Sequence, residues 1–314
     1  MRIVFMGTPE FAVPSLRKLA ESRHTIVGVV TQPDRPKGRG LSLGSVPVTQ
    51  EALKLGFTVI QPDDLTNRNF TQSLADLKGD CFAVVGFRIL PEAVFQMPPK
   101  GTVNLHASLL PQYRGAAPIQ WAVVRGETLT GVTTFFIRKK VDSGDIILQD
   151  KIAIGENETA GELHDRLAML GADVLARTMD LIESDRVERV PQCGMVSLAP
   201  KLLPEHCKID WGAPAVEIHN LIRGLSPKPG AFTMLKHERL KIFRSRLVDK
   251  MESNDSSPGT VVCCTRGGLT VRTGKGNLQI LDVQLECKAR MGISEFLCGK
   301  SIAEGIRLGE PGRR

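Results

Sequence analysis

A chain of 314 residues with 42% apolar and 24% charged side chains is long enough for two cores and has the balance of an ordinary globular protein. No apolar run is long enough to span a bilayer, and Met1-Arg2-Ile3-Val4-Phe5-Met6-Gly7 enters a turn too soon for a secretory leader, which sets aside membrane and exported classes. The net charge of +7 is unevenly spread: from Glu205 onward 18 Lys/Arg face 12 Asp/Glu, a surplus that hints at a polyanionic partner. Seven cysteines without a C-x-x-C pair suggest reduced thiols in the cytoplasm and no metal site.

Taken in order, residues 2–6 form a β-branched and apolar run that predicts a strand. Gly7-Thr8-Pro9-Glu10 turns it into a helix reaching about residue 21. Residues 25–31, 58–60, 81–85 and 102–106 read as further strands with helical stretches between them. This alternation predicts an α/β fold with a doubly wound, mostly parallel sheet. Ligands of such sheets bind beyond the carboxyl ends of the strands, so Gly7, Gly86 and Ser108 fall at one rim. The first turn lacks the G-x-G-x-x-G of a dinucleotide site. Pro9 removes an amide donor and Glu10 adds a negative charge, so a phosphate is poorly served there. The basic segment Gln32-Pro33-Asp34-Arg35-Pro36-Lys37-Gly38-Arg39-Gly40 fits neither a hairpin nor a tight βα turn by its length and charge.

On the strand at 102–106, side chains two apart share a face, so Thr102, Asn104 and His106 point one way and Val103, Leu105 and Ala107 the other. An amide beside an imidazole just before a loop suits acyl transfer. Asn donates to a developing oxyanion, and His donates or relays a proton near neutral pH. The same pair could equally satisfy backbone groups in a buried strand; Asn and His alone leave both readings open.

Farther on, residues 119–125 predict a helix and 132–137 a strand, and Asp142 sits in a glycine-containing turn that favours Asp locally. Residues 158–183 predict a long amphipathic helix whose core contacts are Leu163, Leu167, Leu170, Val174, Met179 and Leu181. A proline-bearing connector follows. Beyond it lie one helix at 215–223 and short strands with turns such as Arg266-Gly267-Gly268 and Gly274-Lys275-Gly276, a β-rich pattern.

The run Asn104-Leu105-His106-Ala107-Ser108-Leu109-Leu110-Pro111, continued by Arg114-Gly115-Ala116-Ala117-Pro118, resembles the signature of the folate-dependent formyltransferases. Val141-Asp142-Ser143-Gly144-Asp145-Ile146 resembles their second element, and the resemblance runs nearly end to end. It implies a Rossmann-like catalytic domain over 1–190, a linker over 191–205, and an oligonucleotide-binding-like β-barrel over 206–314 that binds tRNA.

The resemblance further implies that 10-formyltetrahydrofolate donates a formyl group to the α-amino group of initiator methionyl-tRNA. Asn104 and protonated His106 stabilise the oxyanion, and Asp142 supports His106. Gly86, Phe87, Ile89 and Leu90, with Ser108, Leu109, Leu110 and Pro111, correspond to the folate site. Thr8, Pro9 and Phe11 lie near the aminoacyl end. Arg39 falls where a contact to the acceptor stem is expected, although Leu41-Ser42-Leu43-Gly44 stands where many members carry lysines. Donors and proton relay together leave no need for a metal. The expected protein is a cytoplasmic monomer without membrane contact. Two alternatives share the motif or the fold: a formyltransferase acting on an amino sugar nucleotide, and a non-catalytic RNA-binding protein.

Overall fold

The computed structural model describes residues 1–37, 42–248, 256–265 and 268–309. It divides into two compact units. One comprises Met1–Pro118, Leu129–Ala153 and His164–Ala199; the other comprises Ile119–Thr128, Ile154–Leu163 and the chain from Pro200 on.

A seven-stranded sheet forms the first unit, in the order Ile146–Ala153, Leu129–Phe136, Thr102–His106, Cys81–Val85, Arg2–Gly7, Thr25–Val30, Val59–Ile60. The last five run parallel, and the first two are antiparallel additions at one edge. The central strands are buried on both faces, which is why Ile3-Val4-Phe5-Met6 and Cys81-Phe82-Ala83-Val84-Val85 read as continuous apolar runs. The chain order reverses across Arg2–Gly7. It leaves that strand toward Thr25–Val30 on one side and returns beside it as Cys81–Val85 on the other, so the crevice between the two carboxyl ends is the topological switch point. Register brings the rim together, pairing Gly7 with Val85 and Val85 with Leu105.

Helix Ala160–Glu183 packs on this sheet so closely that a Cβ at Gly171 would lie 2.7 Å from Leu105 Cδ2. Leu105 thus faces the helix, and the alternation of the strand sends Asn104 and His106 to its other face. Along the helix Leu163, Leu167, Val174 and Met179 are buried as expected. Leu170 and Leu181 are only half-buried, and Leu175 and Ile182 are buried in addition. The apolar face drifts because 3.6 residues per turn do not repeat on whole numbers over six turns.

One further expectation is corrected, and one strand forms where none was predicted. The basic segment does pair as a two-stranded antiparallel ribbon, Arg35–Lys37 with Ser42–Gly44; Pro36 at an edge leaves its missing N–H without cost. Ile146–Ala153 is a strand that carries no clean alternation in its sequence, since it lies at the sheet edge and most of its side chains are half-buried.

The second unit is an antiparallel sheet in the order Ala231–Leu235, Glu238–Val248, Asn277–Leu285, Gly268–Arg272, Val261–Thr265. Its two edges meet through the segment that follows helix Ile293–Gly299. Val261 N–H donates to Ile306 O and Leu308 N–H to Gly259 O at one edge, and Gly309 N–H donates to Met234 O at the other, each at 2.8 Å. Among the described residues these bonds cover both edges, as closure does in small β-barrels. The core includes Trp211, Ile222, Leu240, Leu278 and Ile280, and the Trp211 indole N–H donates to Thr233 Oγ1 at 2.9 Å. Helix Ala215–Gly224 matches its expected span within one residue. Its His219 is buried against Ser245 Oγ at 3.0 Å, and burial holds the imidazole below its usual pKa.

Candidate active site

Strand Thr102–His106 delivers Asn104 and His106 at the carboxyl rim of the sheet. The imidazole is almost closed to solvent, and its Nε2 lies 2.8 Å from the carbonyl oxygen of Tyr113. A carbonyl only accepts, so Nε2 carries the proton and Nδ1 is the nitrogen left for chemistry. Nδ1 faces Asp142, whose Oδ2 stands 3.8 Å away. That is too long for a direct hydrogen bond but close enough for strong attraction to an imidazolium. The same Oδ2 accepts from Gly115 N–H at 2.9 Å. Asp145, the other carboxylate of the turn, is taken by Arg138 at 2.6 Å. Gly144 is required by packing, since a Cβ there would fall 1.6 Å from Phe136 O. Asn104 is half-buried, and its amide has no hydrogen-bond partner among the described residues.

The loop after the strand is held from beneath. Thr133 is fully buried and donates through Oγ1 to Ser108 O at 2.6 Å while accepting from Leu110 N–H at 3.1 Å. Gln149 Nε2 donates to Leu110 O and to Thr133 Oγ1, both at 2.9 Å. Ser108 and Leu110 are therefore inside, with the Ser108 hydroxyl donating to Gln112 O, whereas Leu109 and Pro111 are half-buried.

At the switch point Gly86 has φ +58°, and a Cβ there would come within 2.7 Å of Pro9 Cγ, so the two predicted loops touch. Pro9 is exposed, and the Thr8 hydroxyl is buried without a partner among the described residues. Phe11 is buried with its ring edge-on to His164. Phe87 lies beside the Arg88 guanidinium, which is tied to Pro62 O and Asp63 O; Ile89 is 76% exposed, and Leu90 belongs to the core. Arg39 lies outside the described residues.

Several groups of this site were not evident from the sequence. The Tyr113 carbonyl is a backbone atom and has no residue-type signature. Thr133 and Gln149 sit on strands whose polar positions look like ordinary outward-facing ones. A groove of about 590 Å³ begins at Gly101 and Thr102 and takes in none of Asn104, His106 or Asp142; Arg138 and Lys100 on its rim are already paired with Asp145 and Asp185. His24, Asp180 and Glu183 bring ligand atoms within 4.8 Å of one another, but Arg23 already pairs with both carboxylates at 2.9 and 3.0 Å.

Comparison with known proteins decides the family. Residues 1–179 match "Formyl transferase" and residues 201–301 match "Formyl transferase, C-terminal domain". The chain belongs to the formyl transferase family. Within it, the chain is 48% identical to the methionyl-tRNA formyltransferase of Moorella thermoacetica, covering 98% of this chain and 99% of that protein. It is 46% identical to the methionyl-tRNA formyltransferase of Pelotomaculum thermopropionicum over 99% of each. Among solved structures, a sugar 3N-formyl transferase superposes with a TM-score of 0.67 at 18% identity over 92% of this chain and 99% of that one. The methionyl-tRNA formyltransferase of Clostridium thermocellum gives a TM-score of 0.55 at 17% identity over 79% and 94%. At such identities the likeness speaks of the fold shared by the formyl transferases.

Proposed function

We propose that this formyl transferase moves the formyl group of 10-formyltetrahydrofolate to the α-amino group of initiator methionyl-tRNA. The Asn104 amide, without a partner among the described residues and on the same strand face as His106, together with Asp142 opposite His106 Nδ1, carries the chemical reading. The acceptor is read from the full-length relatives, whose names specify methionyl-tRNA.

The neutral amine attacks the formyl carbon and forms a C–N bond, and the carbonyl oxygen becomes an oxyanion. Asn104 donates to that oxygen. Protonated His106 donates through Nδ1, because Nε2 is committed to Tyr113 O. The attacking nitrogen loses a proton, the bond from carbon to folate N10 breaks, and N10 takes a proton as it leaves. Asp142 supports the imidazolium and helps move these protons. The scheme covers both charge changes without a metal.

In this reading Gly86, Phe87, Ile89, Leu90 and Ser108–Pro111 belong to the folate site, and Thr8, Pro9 and Phe11 lie near the aminoacyl end. Arg39 contacts the acceptor stem. Residues 1–190 carry the chemistry, 191–205 connect, and 206–314 hold the tRNA body; the protein works as a cytoplasmic monomer.

The test is release of tetrahydrofolate from the formyl donor. Methionyl-tRNA should trigger it, while uncharged tRNA or an amino sugar nucleotide should not. Release driven by the sugar nucleotide instead would overturn the reading. The basic C-terminal surplus adds a second expectation: the logarithm of the full chain's affinity for tRNA should fall linearly with the logarithm of salt, by about 0.7 to 0.9 in slope per phosphate contact. Fluorescence titrations at several salt concentrations measure it, and a flat line would mean that the surplus is ordinary surface.

A further inference from the structure

The segment from Val190 to Ala199, in sequence a connector, is laced to both partners of His106. Val190 exchanges backbone bonds with Ile146, at 2.8 and 3.0 Å, just past the Asp142 turn. Ser197 accepts from Tyr113 N–H through Oγ at 2.8 Å and from Arg114 N–H through its carbonyl at 3.0 Å. Leu198 and Ala199 pair in parallel with Arg114 and Gly115.

Between these ties lies Gln192. Its Nε2 donates to Asp142 O at 3.0 Å and to Gly144 O at 2.9 Å, and its Oε1 accepts from Arg114 Nε at 3.2 Å and Nη2 at 2.5 Å. Arg114 precedes Gly115, whose N–H holds the Asp142 carboxylate. A closed ring results, running from the Asp142 carboxylate through Gly115 and Arg114 to Gln192 and back to the Asp142 carbonyl.

We propose that Gln192 is a positioning residue that fixes the Asp142 carboxylate opposite His106 Nδ1. The proposal rests on the role given to Asp142 above. Asp142 sits at φ +50°, a left-handed conformation that Asp tolerates better than most residues but that still gains from being held in place. Two donors from one amide on two carbonyls of the turn supply that constraint. Only an amide meets both demands of the position. Glutamate would keep Arg114 but set acceptors against two carbonyls, and an apolar side chain would leave all four bonds unmade.

The test is steady-state kinetics of the full chain. In Gln192→Ala and Gln192→Glu, kcat should fall by about 10- to 30-fold while KM for both substrates stays within about twofold. Gln192→Met, of similar length, keeps the packing but none of the four bonds, so it should lose kcat as Gln192→Ala does, and a thermal melt of each variant reports whether the fold is loosened. In an Asp142→Asn background Gln192→Ala should add less than about a further twofold, since the group it positions is already disabled. Normal kcat in all three single variants, rescue by Gln192→Glu, or fully additive losses would overturn the positioning role while Asp142→Asn itself is slow. Full activity of Asp142→Asn would instead remove the catalytic reading on which the proposal rests.

Discussion

Asn104→Ala should slow formyl transfer by on the order of 10²- to 10³-fold, equivalent to about 3 to 4 kcal/mol in the barrier. The amide is half-buried at the carboxyl rim, and no protein group engages it among the described residues. Its hydrogen-bonding capacity is therefore free for charge that appears only in the transition state, and such donors lower the barrier rather than tighten ground-state binding. Folate affinity should change by less than about threefold, because an oxyanion is absent until the amine attacks. Truncation leaves no buried group newly unpaired, so the fold should hold. Single-turnover rates with a folate titration on the same preparation check this. A folded variant with near-normal turnover would remove Asn104 from the mechanism.

Asp142→Asn should be nearly as harmful, with turnover down by on the order of 10²- to 10³-fold. The asparagine side chain can still accept from Gly115 N–H through its oxygen, so the turn stays in place and only the charge is lost. At the 3.8 Å separation, a carboxylate attracts an imidazolium, and a neutral amide does not. Both side chains are largely shielded from solvent, at 12% and 7% exposure, so water does little to screen them. Asp145 cannot take over, being bound to Arg138. Turnover within about threefold of normal would contradict the role of Asp142.

What could be read ahead of the structure followed from patterns that side chains impose. The strands Cys81–Val85 and Thr102–His106 have their predicted bounds because β-branched and apolar residues fill them between turn signals. Alternation alone places Asn104 and His106 on one face, and Leu105 packs against the helix at Gly171 as that alternation requires. The ribbon at Arg35–Lys37 escaped because pairing there depends on backbone rather than on an apolar face. Ile146–Ala153 escaped because an edge strand has little to bury. The Tyr113 carbonyl, the Thr133 and Gln149 clamp, and Gln192 share a different cause. Each acts through hydrogen bonds in which one partner is a backbone atom, seven positions from His106 for the Tyr113 carbonyl and fifty positions from Gln192 for that of Asp142. Residue types and local spacing carry no record of such partners, so a connector by composition turned out to brace the Asp142 turn.

The central claim is that one formyl group passes from a reduced folate to the methionyl amine of a charged tRNA. Donor labelled in its formyl carbon, offered together to methionyl-tRNA and to an amino sugar nucleotide, tests it most directly. The account predicts label in the tRNA fraction that mild base releases as N-formylmethionine, with the Asn104→Ala variant unlabelled over the same interval. Label in the sugar nucleotide, or tRNA that binds and stays unlabelled with the intact enzyme, would contradict it.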